Sequence, residues 1–307
     1  LKLLEKKINR DSNIFLFGDQ HIDNPLYNKR LFEIFINLIC SEYEGVSEKY
    51  NYGVDHGDFM EAILITDKRM SRSLALTPNF KKQDFILGQL NQAVEDRKPI
   101  KNKLITILQG NHPDKLWQFG NLTNQLCLSL GVPYGTWLAN IRFLDKKGEF
   151  LFRHICEHGR KSINSSADNT ARQRTNMELI LQRQLQKKSG TALLMSKGHT
   201  HRILTKTPEN SSYLVDKNGW FIMKRTNSNT PYDGFIPPDF RWYCSTGCFL
   251  EPYVHDMEGY NEMLDYDPLE PGFVVAKIRD GAIVGLDEVR LLTQSEEKIE
   301  VCIDKKT

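Results

Sequence analysis

Eight side chains that can bind a metal or move a proton stand just after short apolar runs: Asp19 and His21, Asp58, Asn111 and His112, His158, and His199 and His201. Imidazole nitrogen, carboxylate oxygen and amide oxygen all donate to divalent ions, and imidazole also exchanges protons near neutral pH. A single histidine beside an apolar run is ordinarily structural. Here five of the chain's eight histidines fall at such junctions, and four of the junctions open with glycine, at Gly18, Gly57, Gly110 and Gly198. With His112 kept back as a proton donor, the set offers four imidazoles, two carboxylates and one amide, more than a single tetrahedral ion uses. Two ions about 3.5–4 Å apart, bridged by a carboxylate, fit that number and the chemistry of displacement at phosphorus. A nitrogen and oxygen set without thiolate suits Mn, Fe, Zn, Co or Ni rather than Ca or Mg alone.

Elements must bring these junctions together. The runs Asn13–Phe17 and Leu104–Leu108 read as buried strands, and Tyr52–Gly57 as a third with weaker alternation. Leu31–Cys40 and Phe85–Val94 read as helices between them, so strand and helix alternate in the pattern of βαβ units on a largely parallel sheet. Asp19 and His21, two apart, share a side if their backbone is extended. Leu116–Leu130 is expected to form one helix closed by Gly131. Ile141–Leu144 and Phe150–Ile155 form a hairpin candidate, 167–188 an amphipathic basic helix, and Thr191–Met195 a short buried strand. Asn218-Gly219 and Asp280-Gly281 mark two further hairpins, and 226–240 reads as a long loop. No repeat or linker divides the chain.

Composition sets the outer bounds. With 41 basic and 39 acidic residues, 40% hydrophobic content and no apolar run near the ~20 residues of a membrane span, the 307-residue chain reads as a soluble globular protein without a membrane partner. Net charge alone does not argue for nucleic acid. The six cysteines lack a CxxC pair, so neither a zinc ribbon nor a disulfide framework is indicated. The charged start Leu1–Lys7 is no signal peptide, which predicts a cytoplasmic location, and the missing initial Met leaves room for an upstream segment.

The ordered set GDQH (Gly18–His21), GD (Gly57-Asp58), GNH (Gly110–His112), HG (His158-Gly159) and GHTH (Gly198–His201) resembles the calcineurin-like metallophosphoesterase superfamily. The resemblance implies an α/β fold, a four-layer α/β/β/α sandwich. Its N-terminal half would be βαβ-rich and its C-terminal half β-hairpin-rich. One domain would cover 1–307, with ligand motifs within 18–201 and a β-rich completion at 202–307. It also implies roles. Asp19, His21 and His201 hold one ion, Asn111, His158 and His199 the other, and Asp58 bridges them; a hydroxide between the ions attacks phosphorus in line while His112 protonates the leaving oxygen. Two divalent ions, Mn foremost, are the expected cofactors, with Fe, Zn, Ni and Co as alternatives.

Glu61, three residues after Asp58, matches the acidic position that orients this histidine in the protein-phosphatase branch. The phosphate-gripping Arg of that branch is replaced here by Ala62, so the substrate clamp is sought in Lys68, Arg69, Arg72, Arg160 and Lys161. Pro113 after His112 is expected to hold it in extended backbone and leaves Glu61 as its orienting partner. The stretches 58–78 and 246–253 are similar to phage and prophage members of the superfamily, which would place the protein in a host cytoplasm. The resulting expectation is a phosphodiesterase with DNA or RNA as substrate, the basic helix flanking its cleft. A phosphomonoesterase or protein phosphatase is the alternative, and a scaffold without catalysis a third. Oligomeric state is not legible.

Overall fold

In the computed structural model the residues described are 1–64, 67, 70, 72–75, 77–79, 84–209, 212–225, 234–254, 269–295 and 298–307. The elements, in chain order, are β1 (Lys2–Lys7), β2 (Ser12–Phe17), α1 (Lys29–Ile39), β3 (Asn51–Asp55), the single turn α2 (Arg72–Ala75), α3 (Phe85–Arg97) and β4 (Leu104–Ile107). There follow α4 (Asn111–Lys115), α5 (Leu122–Leu130), β5 (Leu138–Leu144), β6 (Phe150–Glu157), α6 (Thr170–Leu185), β7 (Leu194–Lys197) and β8 (Leu204–Lys206). The chain ends with β9 (Ser212–Lys217), β10 (Trp220–Arg225), β11 (Trp242–Ser245), β12 (Gly272–Arg279), β13 (Ala282–Ser295) and β14 (Lys298–Lys306).

Two six-stranded sheets form, in the orders β14-β13-β12-β2-β3-β4 and β1-β5-β6-β7-β11-β8, with β9 and β10 paired apart from both. Alternation within a strand explains the layering, because successive side chains leave on opposite faces. Along β2, Phe15 and Phe17 enter a core shared with α1, α3 and α5, while Ile14 and Leu16 enter a second core. That second core lies between the sheets, since it also takes Ile141 and Phe143 of β5, Phe152 of β6 and Leu194 of β7. On the far side, Leu181 and Leu185 of α6 pack on Ile155, Met195 and Tyr243. The order of layers is therefore α/β/β/α. β2 is buried at every position because both its faces are covered.

The parallel trio β2-β3-β4, joined through α1 and α3, and the β5-β6, β9-β10 and β12-β13 hairpins follow the expected division between halves. Two expectations change. The 116–130 helix is broken: α4 ends at Lys115, a 3₁₀ turn spans Trp117–Phe119, and Gly120 at φ +90° turns the chain so that the Asn121 side chain can accept from Asn124 N at 2.8 Å and start α5. The strand expected at Thr191–Met195 lies instead at Leu194–Lys197, where β6 and β11 pair with it. The charged N-terminus is the edge strand β1, parallel to β5. Of the loop at 226–240, residues 226–233 lie outside those described, and Pro238–Phe240 form a 3₁₀ turn. Among the described residues no helix is long and apolar enough to cross a membrane.

Candidate metal centre

All eight side chains follow the C-terminal ends of strands, Asp19 and His21 after β2, Asp58 after β3, Asn111 and His112 after β4, His158 after β6, and His199 and His201 after β7. β2, β3 and β4 run parallel in one sheet and β6 and β7 run parallel in the other, so these ends open on one edge of the sandwich. The loops are tight. Asp19 (φ 54°), His21 (50°), Asp58 (49°), His199 (71°) and His201 (53°) are all left-handed, which corrects the extended backbone expected for Asp19 and His21. Such conformations are unfavourable for non-glycine residues and persist where the surroundings over-determine them.

Gly110 is fixed by close approach, since a Cβ there would sit 2.0 Å from Asp58 Oδ1 and 2.2 Å from Asp58 N. Gly110→Ala must therefore push Asp58 aside. It is expected to lower stability by about 1–3 kcal/mol, the usual range for overpacking, and to abolish metal uptake, as denaturant melts and metal analysis would show. Behind the loops, fully buried Arg97 at the end of α3 bonds Asp55 Oδ2 at 2.8 Å and Gln20 Oε1 at 2.5 Å, and Gln20 Nε2 reaches Asp96 Oδ2 and Tyr27 Oη, both at 2.8 Å. Arg97→Met would strand the Asp55 carboxylate in the core. A loss of about 3–5 kcal/mol in urea unfolding is expected. Arg97 did not stand out in the sequence, because a buried cation is indistinguishable there from a helix-surface one.

Donor atoms converge in three overlapping groups, Asp19–His21–His201, His21–Asp58–His112 and Asp58–His158–His199, each with its atoms within 4.8 Å of one another. Asp58 Oδ2 faces both halves, 3.9 Å from His21 Nε2 and 3.1 Å from His158 Nε2, while Oδ1 accepts from His112 N at 2.8 Å. Asn111 Oδ1 lies 2.8 Å from His158 Nε2. The outer nitrogens of two ligands are already engaged: His21 Nδ1 bonds Glu61 Oε2 at 2.9 Å and His158 Nδ1 bonds the His56 carbonyl at 2.7 Å. Acceptors on Nδ1 put the neutral-ring proton there and turn the Nε2 lone pairs inward.

Those inward atoms lack donors. His21 Nε2 and His201 Nε2 face each other at 3.1 Å, and buried Asp19 Oδ1 makes no hydrogen bond, with His201 Nε2 3.3 Å and His21 Nε2 3.8 Å away. Converging lone pairs around an orphaned carboxylate oxygen are what a cation would satisfy, so the donor set fits divalent metal. Electrostatics agree. Burial disfavours charge on Asp19 and Asp58, yet the surrounding imidazoles hold both carboxyls well below the usual range; burial likewise opposes charge on His21, but Asp19 and Glu61 raise it to about 10.

Glu61 and His112 depart from expectation. The Glu61 carboxylate bonds His21 rather than His112, from which Oε1 lies 3.8 Å; it is the Glu61 main-chain carbonyl that accepts from His112 Nδ1, at 2.5 Å. His112 lies in the first turn of α4, not in extended backbone, because its N–H is drawn to Asp58 Oδ1 and the missing Pro113 N–H is not needed in a first turn. Burial lowers its pKa to about 4 against the pull of Glu61 and Asp58, so it is neutral imidazole at neutral pH.

Of the basic candidates, Lys68 and Arg69 lie outside the described residues, as does the side chain of Arg72, whose backbone opens α2. Arg160 bonds Asp114 Oδ2 at 3.3 Å and stacks 4.7 Å from the Trp137 ring, and the carbonyl of Lys161 accepts from buried Lys197 Nζ at 2.7 Å. On the basic helix α6 and just beyond it, Arg172 pairs with Asp168, Arg174 with Glu178 and buried Glu288, and Lys188 with Glu157.

No protein-family model and no curated protein matches this chain. Among solved structures, the crystal structure of Chaetomium thermophilum Vps29 aligns over 97% of this chain and 96% of that chain, at 10% identity and a TM-score of 0.41. At that distance the likeness identifies neither a family nor an activity.

Proposed function

We propose that this chain is a phosphoesterase working with two divalent ions, and that its substrates are diesters. The observation that carries the reading is the single oxygen Asp58 Oδ2 facing His21 on one side and His158 on the other, with Asp19 and His201 completing one half and Asn111 and His199 the other. Mn is the first candidate, and Fe, Zn, Ni and Co share its preference for such donors. Bound there, the ions supply a nucleophile at neutral pH and neutralise charge on the phosphoryl oxygens.

The chain's own groups do the rest. Glu61 and the His56 carbonyl fix the rings of His21 and His158. His112, held by the Glu61 carbonyl, enters as neutral imidazole; an arriving phosphate anion favours its charged form, and the proton it then gains passes to the leaving oxygen. The resemblance of the motif set to calcineurin-like metallophosphoesterases supports the same assignment.

Protein reconstituted with each of the five metals should hydrolyse bis-p-nitrophenyl phosphate, faster than p-nitrophenyl phosphate. Absence of turnover with every metal would overturn the reading, and a preference for the monoester would replace diester by monoester.

A further inference from the structure

Large rings lie exposed on one lip of the centre. Trp117 is 76% exposed and Phe119 50%, both on the 3₁₀ turn that follows α4, whose first turn holds Asn111 and His112. At 1.5–2 Å of rise per residue, the Trp117 backbone is within about 12 Å of the Asn111 backbone. A core-sized ring left in water beside a polar site is an observation that needs a partner, since Trp and Phe are normally well buried.

The same lip is cationic. Arg160, two residues beyond His158, is tied to α4 through Asp114 and lies over the half-buried Trp137 ring. Lys161 follows it, exposed, on a backbone pinned by Lys197, which is itself held by Gln184 Oε1 at 2.6 Å. Lys115 is exposed on α4, and Asp114 faces Arg160. Rings and cations thus lie on two segments joined by the Arg160–Asp114 contact, a rim that follows the Asn111–His112 and His158 loops.

Resting on the phosphodiesterase reading, we propose that this rim holds single-stranded nucleic acid, with unpaired bases stacked on Trp117 and Phe119 and backbone phosphates on Arg160 and Lys161. The diester delivered to the centre is then a backbone linkage. Stacking on exposed rings is open to any unpaired base and closed to bases within a duplex, and cations tracking the phosphates complete such platforms. About 12 Å spans roughly 3–4 nucleotides of stacked strand at ~3.4 Å each, so nearby bases of one strand reach both the rings and the centre.

The test is anisotropy of a short fluorescein-labelled oligothymidylate with the full chain, in EDTA so that it is not cleaved. Trp117→Ala is expected to weaken binding about tenfold, Trp117→Ala with Phe119→Ala more than that, and Trp117→Phe to keep most of it. Trp220→Ala, an equally exposed ring on the β9-β10 hairpin, should bind as wild type, and a duplex of the same sequence should bind more weakly than the single strand. Wild-type affinity in the double variant, an equal loss in Trp220→Ala, or a duplex bound as tightly as the single strand would overturn the proposal. So would wild-type protein that cleaves bis-p-nitrophenyl phosphate yet does not bind the strand, in which case the parent reading survives. Failure of the parent reading shows separately, as no turnover with any metal.

Discussion

Asp58→Asn is expected to give a folded protein that no longer binds two ions and has lost about 10³-fold or more in activity. The substitution is nearly isosteric, and Asn Oδ1 can still accept from His112 N, so the loop should keep its shape. What disappears is the negative charge at Oδ2, the atom that faces His21 and His158 together. Changes in groups that merely orient metal ligands weaken metal binding about 10–100-fold, so removing a shared anionic ligand should do at least that. Loss of several kcal/mol of charge stabilisation at phosphorus, at 1.36 kcal/mol per decade, gives the activity figure. Two measurements check it without relying on turnover. Metal analysis of dialysed protein should fall from two ions per chain to one or none. The Tm of wild type should rise on adding Mn, as any ligand bound only by the folded state requires, and the Tm of the variant should rise little. A variant retaining two ions and a full Mn-induced rise in Tm would remove Asp58 from the bridging position.

The site was more legible in the sequence than the sheets were. Its candidate residues follow β2, β3, β4, β6 and β7; β2 (SNIFLF) and β4 (LITI) are apolar runs whose ends are readable, whereas β3 (NYGVD) is mostly polar and β7 lies further along the chain than its apolar run suggested. The edge strands β1 and β14 carry no such signature. β1 (KLLEKK) and β14 (KIEVCIDKK) are charged, as strand edges that resist further pairing tend to be, and read as polar termini. β8 and β11 are too short for any period to appear, and their places depend on β11 pairing with β7 and β8 with β11, which no local pattern encodes.

Within the site, residue types were readable and backbone was not. Spacing suggested extended chain at Asp19 and His21, but hydrogen bonds from Asp19 N to Gly57 O and from His21 N to Asp58 O bind the first loop to the second and impose left-handed turns. The same limit affected Glu61. Its place three residues after Asp58 indicated a partner for His112, whereas the structure uses its carboxylate for His21 and its carbonyl for His112, a division visible only once both loops are in place.

His112→Gln is expected to retain both ions while kcat falls by about 10²–10⁴, the range for removing a proton donor from a reacting oxygen. The prediction is not trivial, because His112 also lies in a group with His21 and Asp58 whose donor atoms fall within 4.8 Å, so a ligand role is geometrically open to it. Geometry does not decide it: the Nδ1 contact to the Glu61 carbonyl has its counterpart at His158, and the 12% exposure of His112 falls between buried His21 and His158 and the 23% of His201. Metal analysis separates the two: loss of an ion in the variant would make His112 a ligand. Leaving-group dependence separates proton donation from mere shape. p-Nitrophenolate departs readily without a proton, so the variant should lose far less on bis-p-nitrophenyl phosphate than on a diester whose leaving group is an alkoxide. An equal loss on both would mean that His112 acts on the ground state or on phosphate position and not on the departing oxygen.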